Sequence, residues 1–166
     1  MLTHSFNVPN SLYAELYRHI CIEDDAILGI KVRIISTEPL VYEVERLIKP
    51  PMSGGLRLLF SIPQEIAFVS RVKVDPSGTS STSIITTPSA LSHLAKVEEK
   101  LYLNETQTGC KGTLKFEGSS SAPEWAFNMF LKEYSEKRRH NLTYKGQARR
   151  MTKEKFMEKL TKLSRG

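Results

Sequence analysis

The side chains best suited to chemistry are cations, and they crowd the end of the chain. Residues 132–166 hold 12 Lys/Arg against 4 Asp/Glu, net +8. Residues 1–131 hold 12 against 14, net −2, so the whole excess of the +6 chain lies in the last 35 residues. An Arg guanidinium takes a phosphate bidentately, and a dense cationic surface draws anionic lipid or nucleic acid. Arg57, Lys137, Arg138 and Lys145 are the candidates for an anionic headgroup. Arg139, Arg149 and Arg150 are the candidates for a membrane-facing surface. The plainer reading of any of them is a solvated charge on a helix face.

No catalytic constellation accompanies these cations. Ser53-Gly54-Gly55 fits neither the P-loop nor the dinucleotide fingerprint, and HExxH and Gly-x-Ser-x-Gly are absent. His4, His19, His93 and His140 are scattered, with no His/Cys cluster at zinc spacing. Glu98-Glu99 and Glu43/Glu45 offer carboxylates, and the latter pair falls on the polar face of a strand. A non-enzymatic chain without metal or cofactor is expected. Cys21 and Cys110 lie far apart with no CxxC, and both read as free thiols in apolar surroundings. Asn104-Glu-Thr106 and Asn141-Leu-Thr143 match the glycosylation sequon, and read as chance matches.

The elements that must position these residues follow from periodicity. Leu2–Val8 alternates as a strand ending at Pro9-Asn10. Asn10 or Ser11 then caps a helix carrying Leu12, Leu16 and Ile20 at helical spacing. A run of strand-like segments follows: 30–37, 40–48, 56–60, 66–74, 81–87, 97–103 and 110–117. The clearest is Cys110, Gly112, Leu114 and Phe116 against Lys111, Thr113, Lys115 and Glu117. That alternation means one face on a core and one in water. Ser121-Ala-Pro-Glu124 opens a helical tail over 123–164, which Gly146 is placed to bend or split. Its first stripe is Trp125, Met129 and Phe130, and its second includes Phe156 and Leu160 with Lys/Arg opposite.

Strands and helices are segregated, so the expected class is α+β: a curved antiparallel sheet of about six or seven strands wrapped on a long C-terminal helix. At 166 residues, with ordinary apolar and charged content, the chain is read as one domain, 1–166. Met1–Val8 lacks the pattern of a signal or transit peptide, which predicts an intracellular protein. A sheet gripping a helix leaves room for a ligand between them. The expected lining is Phe68, Val72, Leu101, Leu114 and Phe116 on the sheet, facing Trp125, Met129 and Phe130.

Several segments resemble, in order, the PRELI family of phospholipid-transfer proteins within the START-like superfamily. They are Thr3-His-Ser-Phe6, Gly55-Leu-Arg-Leu-Leu59 with Ile62-Pro63, Val69-Ser-Arg-Val-Lys-Val-Asp-Pro76, Ser92 through Tyr102, and Tyr144-Lys-Gly146 before Phe156-Met-Glu-Lys-Leu160. The resemblance implies a helix-grip fold and a phosphatidic acid or phosphatidylserine ligand moved between membranes. It also implies a small helical partner protein and the mitochondrial intermembrane space; outside that family the expectation is cytoplasmic. Two other readings stay open. One is a nucleic-acid binder using Lys137-Arg-Arg139 and Arg149-Arg150, disfavoured because aromatic residues are thin there. The other is a START-like enzyme, which needs a polar residue inside the cavity.

Overall fold

The structure, a computed structural model, describes residues 2–21, 27–48, 55, 65–75, 79–85, 95–120 and 146–165. Between 120 and 146 it describes residues 124, 125, 128, 129, 132, 135, 136, 139 and 140. The chain runs β1 (Leu2–Val8), α1 (Leu12–Ile20), β2 (Ile27–Thr37), β3 (Leu40–Ile48), β4 (Ile66–Val74), β5 (Thr79–Ile85), β6 (Ala95–Thr106), β7 (Gly109–Ser120) and α2 (Lys153–Arg165). The strands form one antiparallel sheet in the order β1-β7-β6-β5-β4-β3-β2. From β2 to β7 it is a meander, and β1 closes it by pairing with β7, Val8 opposite Cys110 and Leu2 opposite Phe116. This is the α+β class expected from the order of elements. The strand expected at 56–60 lies outside the described residues.

The period-2 pattern decides which side meets the core. Val44, Phe68, Val72, Leu101, Leu114 and Phe116 point inward and are buried. Their chain neighbours Glu45, Val69, Arg71 and Lys73 point out and are exposed. α1 lays Leu12, Leu16 and Ile20 on this inner face, each at most 2% exposed. The four-residue spacing puts them on one helix stripe.

α2 supplies Phe156 and Leu160, both fully buried, and packs against β2 and α1. The Phe156 ring stands 5.4 Å from that of Tyr13 and 5.9 Å from that of Tyr42, tilted to both. One position depends on glycine. Gly109 leads β7 with φ +152°, and a Cβ there would stand 2.0 Å from the Val8 carbonyl oxygen. Only a residue without Cβ lets the β6–β7 hairpin come this close to the end of β1.

The tail is not one helix over 123–164. The described residues between 124 and 140 have helical backbone, but 146–152 is irregular before α2 begins. The cause is competition for the backbone. The Arg149 N–H donates to Asn10 Oδ1 at 2.9 Å and the Met151 N–H to Ser11 Oγ at 3.0 Å. Ser11 N–H donates to the Arg149 carbonyl at 3.0 Å. Groups used this way are not available to an intrahelical ladder.

Candidate ligand-binding site

Within the apolar inner wall stands a small set of polar side chains. By register Val44, Ser70, Ile84, Glu99 and Phe116 are successive partners across five strands, in one row. Ser70 and Glu99 therefore sit on the same level of the wall as Phe116. Glu99 is fully buried. Arg46 stands opposite Phe68, one level along. Its Nη1 donates to Ser70 Oγ at 2.9 Å, and its Nη2 donates to the His19 carbonyl. The last carbonyls of a helix have no intrahelical partner and form its negative end, so a guanidinium there is favourable. His4 projects from β1, its ring edge-on to Phe116 at 6.4 Å. His4 Nε2 and Ser80 Oγ are buried with no hydrogen-bond partner among the described residues. A buried polar atom of this kind is costly in a packed core.

A second polar group locks the helices above this wall. Glu15 is fully buried on α1. Its carboxylate accepts from Asn10 Nδ2 at 2.8 Å and from Arg18 Nε at 3.1 Å, and lies 3.0 Å from His19 Nε2. Arg18 Nη2 also pairs with it. Burial alone would raise the Glu15 carboxyl above its ordinary value. The bonds from His19, Arg18 and Asn10 and the charge on His19 outweigh burial and hold it at about 2. Asn10 holds the Arg149 backbone through its other amide atom. A chain of hydrogen bonds thus runs from Ser70 through Arg46, the end of α1, Glu15 and Asn10 to the segment that leads into α2.

The expected lining divides. Phe68, Val72, Leu101, Leu114 and Phe116 come together on the inner wall, 0–7% exposed, in one cluster with Tyr42, Leu16, Phe156 and Leu160. Trp125 and Met129 do not join them: they are 60% and 48% exposed. Helical spacing places two apolar residues on one stripe but does not say which way the stripe faces. α2 packs over β2. Phe130 and the four headgroup candidates, Arg57, Lys137, Arg138 and Lys145, lie outside the described residues. Arg139, Arg149 and Arg150 are exposed. Cys21 and Cys110 are free thiols, and burial, then the charges of Glu15 and Glu105, push the Cys110 thiol up to about 12.

Sequence reasoning missed Arg46 and the inward position of Glu99. The signal was present: Arg46 shares the parity of Tyr42 and Val44, and Glu99 that of Leu101. Among the described residues no group of three or more His, Cys, Asp or Glu could hold a metal ion. No helix among them is long and apolar enough to cross a membrane.

No protein-family model and no curated protein matches the chain. Solved structures do. The lipid transfer and protein localization domain of human StarD13 (DLC2) matches with a TM-score of 0.50 and 12% identity, over 85% of this chain and 76% of that one. Ara h 8.0201 matches at 0.46 and 14%, over 97% of both chains. TTHA0849 from Thermus thermophilus matches at 0.46 and 9%, over 98% and 95%. At 12% identity the likeness to the StarD13 domain concerns the fold alone: an antiparallel sheet whose inner face is covered by α1 and a C-terminal helix.

Proposed function

We propose that the chain is a non-enzymatic lipid carrier that holds an anionic phospholipid between the inner sheet face and the helices above it. The observation that carries this is Arg46: a guanidinium on a mainly apolar wall, beside Ser70, at the foot of α1. Acyl chains contribute about 0.8 kcal/mol per buried CH₂ against such a wall. A phosphate removed from water needs cations and donors in place of its hydration shell. Arg46 and Ser70 supply these, together with whichever of Arg57, Lys137, Arg138 and Lys145 reach the same site. In the finer reading the cargo is phosphatidic acid or phosphatidylserine. Arg139, Arg149 and Arg150 meet the membrane, and a small helical protein stabilises the carrier, as in the PRELI family of the mitochondrial intermembrane space.

The wall residues are closed off from solvent, so loading requires the α2 contacts at Phe156 and Leu160 to open. The test is transfer of fluorescent phosphatidic acid and phosphatidylserine between vesicles. Wild type should transfer at least one of them, and Arg46→Glu should not, with circular dichroism unchanged. No transfer of any phospholipid by wild type would sink the reading. Glu99 favours one second reading, a START-like enzyme with that buried carboxylate as acid or base. Turnover of a bound lipid that disappears in Glu99→Gln would select it.

A further inference from the structure

The opposite face of the sheet is built on another plan. Among the described outward side chains of β1, β6 and β7 none is aliphatic. The positions hold Thr, Ser, Asn and Lys, with Glu98 and a single aromatic, Tyr102. Lys100 and Lys115 are direct cross-strand partners. Two like charges opposite each other on one face destabilise a sheet; Glu98 offsets part of this from the side of Lys100, and an anion set between the two lysines would add to that relief. The register extends the cluster. Arg71 stands in the same row, two strands from Lys100, through the β5 position 83. Lys73 stands in the row of Tyr102, through position 81. Lys111 lies further along β7 from Lys115, opposite Asn104. With strands about 4.8 Å apart and successive outward residues about 7 Å apart, five cations cover the patch at spacings of roughly 5–20 Å.

Carboxylates border the patch on β3 and β6, Glu43 opposite Arg71 and Glu98 beside Lys100. Glu98 pairs with Lys100 at 3.1 Å, the position of Glu117 is opposite Glu98, and Glu43 is held by Arg33 at 2.7 Å. Tyr102 is half-buried, and Lys115 Nζ sits 5.6 Å from its ring centroid. A mesh of cations and hydrogen-bonding groups around one aromatic face suits a polyanion with bases to stack. It suits a bilayer less well, because the described outward positions of β6 and β7 hold no aliphatic anchor and β4 adds only the exposed Val69 beside Arg71. We propose that the outer face of β4, β6 and β7 binds the phosphate backbone of single-stranded nucleic acid, with Tyr102 as a stacking ledge. This surface is on the other side of the sheet from the ligand wall, and the proposal does not depend on the lipid reading.

The test is fluorescence anisotropy of the full chain with labelled 20-nucleotide U and dT oligomers. Engaging about four phosphates, each contributing a log–log slope near −0.7, predicts a loss of about 50-fold in affinity between 50 and 200 mM salt. The double change K100E/K115E should weaken binding at least tenfold at 50 mM salt and flatten that slope. Y102A should weaken binding and leave the slope unchanged. R149E/R150E should leave both unchanged. K100T/K115T, which keeps good strand formers, gives the same readout should charge reversal disturb the sheet. Absence of binding at 50 mM salt overturns the proposal. So does binding lost with R149E/R150E but kept with K100E/K115E, which would place it on the tail. Phosphatidylserine vesicles that bind through Lys100 and Lys115 while the oligomers do not would make the face a membrane contact instead.

Discussion

At Glu15, burial and charge oppose each other, and charge wins. The folded carboxyl stands at about 2 against an ordinary 4.5. A depressed folded value gives stability that is complete above the unfolded value and is lost as pH falls through the folded one. The gap corresponds to about 3 kcal/mol at 1.36 kcal/mol per unit. Urea unfolding of Glu15→Gln should therefore fall below wild type by about 3 kcal/mol above roughly pH 5, with the difference closing towards pH 2. A constant offset across that range would mean that Glu15 acts by shape rather than charge. Cys110 makes a simpler prediction. Buried and with its thiol pushed up to about 12, it should resist a thiol reagent in the native protein while the half-buried Cys21 reacts. Equal rates would show that the core around Cys110 opens readily. At this scale the sequence was partly legible. The inward set from Phe68 to Phe116 follows from parity alone. The Glu15 network does not, because it joins residues about 140 positions apart and has no periodicity to betray it.

Among the elements, the two stripes of the C-terminal region looked equivalent in the sequence and are not. Phe156 is fully buried between Tyr13 and Tyr42, and Trp125 is 60% exposed. Phe156→Ala should cost about 3–5 kcal/mol, as large-to-small core changes do. Trp125→Ala should stay within about 0.5 kcal/mol of wild type, as exposed substitutions do. Denaturant midpoints of the two variants read this directly, and a reversal of their order would mean that the Trp125 stripe, not α2, is the one docked on the sheet. At the β6–β7 turn, Gly109→Ala meets both a disfavoured φ and the Val8 carbonyl, and should destabilise by about 1–3 kcal/mol. A neutral result in thermal melts would show that β1 can shift to make room. The strands were readable because alternation has a fixed period. The break at 146–152 was visible only as a glycine, since the partners that hold it, Asn10 and Ser11, come from the other end of the chain.

For the whole molecule, the sheet separates two environments. One face is apolar with Arg46, Ser70, Glu99, His4 and Ser80 set into it, and the other carries cations on β4, β6 and β7, with Leu47 and Val69 exposed on β3 and β4. The α+β class and the sheet-on-helix arrangement were legible in the order of elements. Which helix closes the wall, and which cation stands on it, were not. Both depend on how distant segments meet, as β1 does with β7 and α2 with β2. The central claim is that this wall holds a lipid with its headgroup at Arg46. Native mass spectrometry of the purified full chain tests it most directly. Wild type should carry a mass increment of a single phospholipid, released on denaturation, and Arg46→Glu should fly at the mass of the bare chain. Bare wild-type chain that stays bare after incubation with phosphatidic acid and phosphatidylserine vesicles would contradict the account.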